Sequence, residues 1–448
     1  MRILIVSYAL YPDQTSEGIC AAKTARALQD AGHEVEIITS TTGQLESNAL
    51  IETPLLQGIT VHRINPKSEL LPAWTAPFYA LDRVDRGPAW FKKQVLGRVF
   101  AIPYLLLGSS REEFAWVAAA AQTIVQLCKD SRRRFDVIHS RLYPASSHLA
   151  VLTALPKLPY RPHWSLYFSD PWPPHLYPTG YRSTVGPLAR RRLEAQLSRL
   201  LKLADSLVFP SDRLMHFMLS GSREQFRRKA CCIPHLGNSW TESPPYIKDN
   251  IFKIVFAGNL LKPRSPDGLF RSLNQLFADN ESMKNDLKIQ LVGRNNEVLR
   301  GDIEMHGLVD NVEIVPQLPL EETWNMLCQA DVLLIVEAHM GEGIFMPSKL
   351  SEYISAKRPI LALSPPNGVV TDYLALGGGI RVAPDDSRQI TFAIAELYER
   401  WRNDTLSELA PPASLVESVG PSRITPLYEQ AFQGDNPAVA LHKTPSVA

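Results

Sequence analysis

The chain has 448 residues, more than one hydrophobic core usually organises, so two domains are expected. Hydrophobic residues make up 45% and charged residues 21%, the composition of an ordinary soluble globular protein. Lys and Arg total 47 against 46 Asp and Glu; this balance argues against a dedicated nucleic-acid binder, and no nucleic-acid partner is expected.

In chain order, Met1 and Arg2 lead at once into an apolar strand over residues 3–8, too closely tied to a following helix to read as a signal peptide. A loop at 11–18 enters a helix over about 19–31, and Gly32-His33 turns into a strand over 34–39. That is one βαβ unit, which dictates a parallel sheet. Further strands are expected at 59–64, 137–140, 164–168 and 206–210, with helices near 114–129 and 188–204. Residues 240–250, WTESPPYIKDN, carry two prolines among polar groups and favour an extended linker. A second βα series has strands at 252–256, 288–292, 312–315, 331–336 and 359–363. Residues 390–402 and 426–432 read as helices, and the last residues, GDNPAVALHKTPSVA, as a disordered tail.

The expected fold class is therefore α/β, two doubly wound Rossmann-like domains facing a cleft. The boundaries are 1–240 for an N-terminal domain, 241–250 for a linker and 251–412 for a C-terminal domain. A helical segment at 413–434 is expected to return to the N-terminal domain, before the tail at 435–448. The five cysteines, Cys20, Cys128, Cys231, Cys232 and Cys328, are odd in number and lack metal-ligand spacing. They read as reduced thiols of a cytoplasmic protein with no metal site. No uninterrupted apolar run is long enough to span a bilayer.

The stretch PSKLSEYISAKRPILAL at 347–363 concentrates the chemistry. Pro347 and Ser348 can open a helix, placing Lys349 and Glu352 one turn apart on one face. Lys357-Arg358-Pro359 ends it and feeds a buried strand, the arrangement of an anion site at a helix start. An ordinary surface ion pair would have the same spacing.

These residues, with VFAGNLLKP, IQLVGRNNEV and NVEIVPQLPLEETWNMLCQADVLLIV in order before them, resemble the GT-B glycosyltransferases of the GT4-like retaining group. The N-terminal ILIVSYALYPDQTSEGICAAKTARALQDAGHEVEIITS is similar to the opening of such enzymes, and the likeness covers nearly the whole chain. The resemblance implies transfer of a sugar, of the hexosyltransferase type, from a nucleotide-diphosphate sugar, with no metal or other cofactor. Gly18, with Tyr11 and Pro12, would line the sugar-facing loop. Gly258 would admit backbone close to the ligand, and Lys262 with Arg264 would neutralise the diphosphate; the family's usual arginine after the glycine is Asn259 here. Gly293 and Arg294 match positions that face the diphosphate, Pro316 and Gln317 positions that face the base, and Leu350 follows Lys349 in the same signature. Lys349 would serve as a phosphate cation and Glu352 would accept hydrogen bonds from the ribose hydroxyls, as the second glutamate of the E-x7-E signature in its PSKLxEY variant. The first signature glutamate falls on Ile344; the loop around Gly343 would hold sugar hydroxyls through backbone N–H groups, with Glu342 as a helper.

On the acceptor side, FSDPW puts Asp170 at the carboxyl end of a strand, where it could meet the acceptor or cap a turn, and Ser169 stands where many relatives carry histidine. His139 reads as a strand-end residue rather than a base. Trp90, Phe91, Lys92, Lys93 and Arg98 sit in a mix of cations, aromatics and leucines suited to an anionic membrane surface, with Arg190, Arg191 and Arg192 as a second basic cluster. The same residues also suit packing under an insertion and a solvated helix face. A lipid-linked acceptor in surface-polysaccharide assembly, at the inner face of the membrane, would fit. Two other readings stand beside the transferase: a non-hydrolysing nucleotide-sugar epimerase, and a catalytically silent nucleotide-sugar-binding scaffold.

Overall fold

The computed structural model of the chain describes residues 1–12, 15–41, 53–65, 111–183 and 185–435. They divide into two compact units, Met1–Ile233 joined by the chain from Leu427 onward, and Pro234–Pro426.

The first unit is built on a seven-stranded sheet of order β3-β2-β1-β4-β5-β6-β7. The strands are β1 (Arg2–Val6), β2 (Glu34–Ser40), β3 (Thr60–Ile64), β4 (Val137–Arg141), β5 (His163–Tyr167), β6 (Ser206–Phe209) and β7 (Ala230–Cys232). All pairings are parallel, with Ile3 beside both Val35 and Val137 in register. Strands buried on both faces explain the unbroken apolar runs; Ile3, Leu4, Ile5 and Val6 are all fully buried. Helix Ser16–Asp30 starts where the Thr15 hydroxyl accepts from the Gly18 N–H at 3.1 Å, and it covers the sheet with Ala21, Ala22, Ala25 and Leu28.

The second unit carries a six-stranded parallel sheet of order β10-β9-β8-β11-β12-β13. Its strands are β8 (Phe252–Ala257), β9 (Leu287–Val292), β10 (Val312–Val315), β11 (Val332–Val336), β12 (Ile360–Leu363) and β13 (Gly379–Val382). Its core joins Phe252, Ile254 and Phe256 to helix Ser387–Arg402, whose Tyr398 and Trp401 rings stand 5.9 and 5.6 Å from that of Phe252. Residues 238–251 form no helix or strand. The chain passes back to the first unit inside helix Pro421–Gln433, between Pro426 and Leu427, while Ala413–Ser418 stays with the second unit.

Two short edge strands, β7 and β13, have no counterpart in the sequence reading. β13 also starts on Gly379, where an added Cβ would lie 1.9 Å from the Ile360 carbonyl oxygen. Only a glycine lets this strand lie so close to β12.

Candidate functional site

In the second unit the chain runs outward from β8 through β9 to β10 on one side, then from β11 through β12 to β13 on the other. The switch point is β8 against β11, and the crevice outside their carboxyl ends is where such sheets bind ligands. Gly258 follows β8, Gly293 follows β9 and Glu337 follows β11. Gly258 has φ of 135°, and an added Cβ there would stand 2.8 Å from the Lys349 Nζ. At Gly293 an added Cβ would lie 2.1 Å from the Gly258 carbonyl oxygen. The buried Asn296 side chain clamps the loop, donating to the Gly258 carbonyl at 2.9 Å and accepting from the Leu260 N–H at 3.0 Å.

Lys349 lies in the first turn of helix Ser348–Ser355, which Tyr353 pins to the sheet by accepting from the Ala257 N–H at 2.9 Å. The Lys349 Nζ sits 3.7 Å from the centre of the Phe256 ring and has no hydrogen-bond partner among the described residues. Burial, and then the neighbouring Arg264, push its pKa well below the usual lysine range, against the pull of Glu352 and Glu337. The Arg264 Nε is also buried, with no hydrogen-bond partner among the described residues. Glu337, 6% exposed, accepts a 2.6 Å hydrogen bond from the Ser364 hydroxyl. Burial raises its pKa to about 7, opposed by that hydrogen bond and by the charges of Arg264 and Lys349. Three ionisable groups from three segments therefore meet at the switch point.

Of the residues singled out in the sequence, the structure brings Gly258, Arg264, Gly293 and Lys349 together here, with the half-buried Glu352 acting electrostatically on Lys349. Lys262 does not join them; it is exposed, and the loop turns Arg264 inward instead. Arg294 lies outside, donating to the Gln317 side chain at 2.8 Å, beside the exposed Pro316. Leu350 contributes packing: its side chain is fully buried and its N–H donates to the Pro347 carbonyl at 2.9 Å. The Gly343 N–H is bonded to the Asn367 carbonyl at 2.8 Å, in a short parallel bridge to Gly368, while Glu342 is exposed. Ile344 is 3% exposed, so the position of the first signature glutamate is a core position in this chain.

The first unit has its own switch point, β1 against β4. There Arg141, 1% exposed, donates to the Glu17 carboxylate at 2.8 Å and stacks 4.1 Å from the centre of the Tyr167 ring. Its Nη1 donates to the hydroxyls of both Thr24, at 3.2 Å, and Tyr428, at 3.4 Å. Burial raises the Glu17 pKa to about 7, against the lowering effect of Arg141; Asp170 adds to the rise and the Ser169 hydroxyl opposes it. Asp170 thus lies beside Glu17, with Ser169 donating to the Leu142 carbonyl at 2.7 Å. The Gly18 carbonyl accepts from the Tyr11 N–H at 3.2 Å, closing the loop ahead of the helix. His139 is not a strand-end residue: it sits in the middle of β4, fully buried, 3.1 Å from the Ser165 hydroxyl and packed against Tyr428 and Phe432. Burial drives its pKa well down, so it stays neutral. Arg190, Arg191 and Arg192 are exposed on helix Pro187–Leu203. Trp90, Phe91, Lys92, Lys93 and Arg98 lie outside the described residues, as does the chain beyond Asp435.

Glu337, Glu17 and Arg141 escaped the sequence reading. Glu337 had a signal, a lone carboxylate directly after the apolar run VLLIV at a strand's carboxyl end. Glu17 and Arg141 had none, since they lie 124 positions apart. Among the described residues no group of three or more His, Cys, Asp or Glu is placed to hold a metal ion, and no helix is long and apolar enough to cross a membrane.

Two parallel-sheet units of this kind define the GT-B fold, and comparison with solved structures gives the same class. A sucrose-phosphate synthase from Thermosynechococcus elongatus superposes with a TM-score of 0.62 at 13% identity, over 97% of this chain and 100% of that one. A trehalose-6-phosphate synthase, OtsA, gives 0.61 at 12%, over 97% and 99%. A putative UDP-N-acetylglucosamine 2-epimerase from Listeria monocytogenes gives 0.54 at 11%, over 98% and 99%. Residues 18–223, a little under half of the chain, match the family described as "Glycosyl transferase 4-like domain", and the chain has the GT-B fold. No curated protein matches its sequence.

Proposed function

We propose that this protein is a retaining glycosyltransferase of the hexosyltransferase type, acting without a metal on a nucleotide-diphosphate sugar. The observation that carries the reading is the buried, unpartnered Lys349 ammonium nitrogen beside Arg264, beneath a glycine loop at the switch point. A leaving nucleoside diphosphate needs cations already in place where its charge develops. Lys349 and Arg264 meet the diphosphate, Glu352 accepts from the ribose hydroxyls as in the PSKLxEY variant of the signature, and the backbone at 316–318 meets the base. Asp170 meets the acceptor or the transferred sugar, and the departing phosphate itself takes the acceptor proton. The acceptor is lipid-linked, as in polysaccharide assembly, and the protein works peripherally at the cytoplasmic face of an anionic membrane; the composition of residues 83–107 supports this.

Incubating the protein with UDP-, GDP-, ADP- and dTDP-sugars and a lipid extract tests the reading. Donor-dependent glycosylated lipid supports it. Acceptor-free conversion of the donor sugar would instead indicate the epimerase, in line with the third structural neighbour, and binding without turnover would indicate a silent scaffold. Glu352→Ala is expected to weaken donor binding roughly ten- to a hundredfold, the loss of one or two charge-assisted hydrogen bonds. Calorimetric titration with the donor checks this; unchanged affinity removes Glu352 from the ribose site.

A further inference from the structure

The proposed donor site contains a charge that no nucleotide sugar would welcome. Glu337 is a nearly fully buried carboxyl that feels the charges of two cations, Lys349 and Arg264, whose Nζ and Nε have no hydrogen-bond partner among the described residues. Its one hydrogen bond comes from Ser364, at the end of β12. The charged groups coupled to Glu337 are Arg264 from the loop after β8 and Lys349 from helix Ser348–Ser355, with Glu352 acting on Lys349 from the same helix. The Gly343 loop lies over it, an added Cβ there standing 3.5 Å from its Oε2. In the empty site an ionised Glu337 supplies the negative charge that the two cations otherwise lack. An arriving diphosphate brings two more negative charges to the same cations, and Glu337 then opposes it.

We propose that Glu337 balances the charges of Lys349 and Arg264 through space and takes up a proton when a diphosphate binds, leaving both cations to the phosphates. The inference rests on the donor site described above and concerns how that site accepts its ligand. Its balance is simple: one carboxylate and one proton from solution become one carboxylic acid, and no other bond changes. The protonated acid keeps its place beside Ser364, now able to donate as well as accept. A pKa already raised to about 7 in the empty site puts this uptake in the neutral range.

Nucleotide-diphosphate sugars are the right probes, because their diphosphate diester does not titrate between pH 6 and 8.5. Calorimetric titration of the whole chain with the four donors, in buffers of different ionisation enthalpy, reads affinity and protons together. The expected result is uptake of up to about one proton per ligand and an affinity that weakens by up to about tenfold per pH unit above neutrality. Glu337→Gln, a permanent copy of the uncharged state, is expected to bind at pH 8.5 about as tightly as the native protein does at pH 6, with the uptake lost. Ser364→Ala removes the hydrogen bond that favours the ionised form, and it is expected to move the pH dependence upward. That variant decides the matter should the glutamine variant fail to fold. Binding with no proton uptake, or the same pH slope in all three proteins, would overturn the role of Glu337 while leaving the donor site standing. Binding of none of the four donors at any pH would overturn the donor site itself, and this role with it.

Discussion

Arg141 has almost no contact with water, yet it touches four residues on three elements: Glu17 and Thr24 on the first helix, Tyr167 on β5 and Tyr428 on the last helix. A buried ion pair is weak evidence of stabilisation, but removing one partner strands the other. Arg141→Met is therefore expected to cost about 3–5 kcal/mol at pH 8, where Glu17 must either stay charged without its cation or bind a proton. The sign of the pH dependence follows from Glu17, whose pKa in the folded protein, about 7, already exceeds the ordinary 4.5. The folded state binds the proton more tightly than the unfolded one, so this group's contribution to stability falls as pH rises from about 4.5 through 7. The Arg141→Met penalty should accordingly be smaller at pH 5 than at pH 8. Denaturant unfolding at the two pH values checks this, and a penalty larger at pH 5 would refute it.

At the scale of elements, the loops after β8 and β9 are fitted to each other backbone to backbone. Gly293 allows the Gly258 carbonyl to approach, Asn296 fastens that carbonyl, and the φ of Gly258 leaves room for the Lys349 head. A methyl group on Gly293 must push the Gly258 loop away, since its nearest neighbour is main chain rather than the end of a flexible side chain. Gly293→Ala is expected to destabilise the second unit by about 1–3 kcal/mol and to weaken donor binding with it. A variant of native stability and native donor affinity would show that the loops have more freedom than their contacts imply. The helix that presents Lys349 ends at Ser355, and Lys357 just beyond it adopts a left-handed φ of 56° before Pro359. Strand and helix positions were legible because burial on both faces of a parallel sheet writes near-continuous apolar runs. Of the four edge strands, β3 and β10 were legible in the same way and β7 and β13 were not.

For the whole molecule, the return of the chain to its first unit decides which residues stabilise which core. Tyr428 and Phe432 pack on His139 of β4, and Glu429 pairs with His33 at 2.8 Å. A chain ending at Pro426 is expected to keep the transition of the second unit and to lose roughly 3–5 kcal/mol or more from the first, the scale of deleting a large buried aromatic group. Calorimetry of the two proteins distinguishes the units; an unchanged first-unit transition would mean that the last helix is dispensable.

The sequence by itself determined the α/β class, the two doubly wound series and the helix that carries Lys349 and Glu352, because periodicity and helix boundaries are local and are written in neighbouring residues. Only the tertiary structure decided which cations share a site. The resemblance paired Lys262 with Arg264, but the loop leaves Lys262 in solvent and turns Arg264 toward Lys349, 85 positions further on. It also decided that Ile344 belongs to the core and that Glu337 and Glu17 are buried carboxyls with pKa values near 7. Burial and charge coupling depend on what the fold brings from distant parts of the chain, and no window of neighbouring residues contains that information.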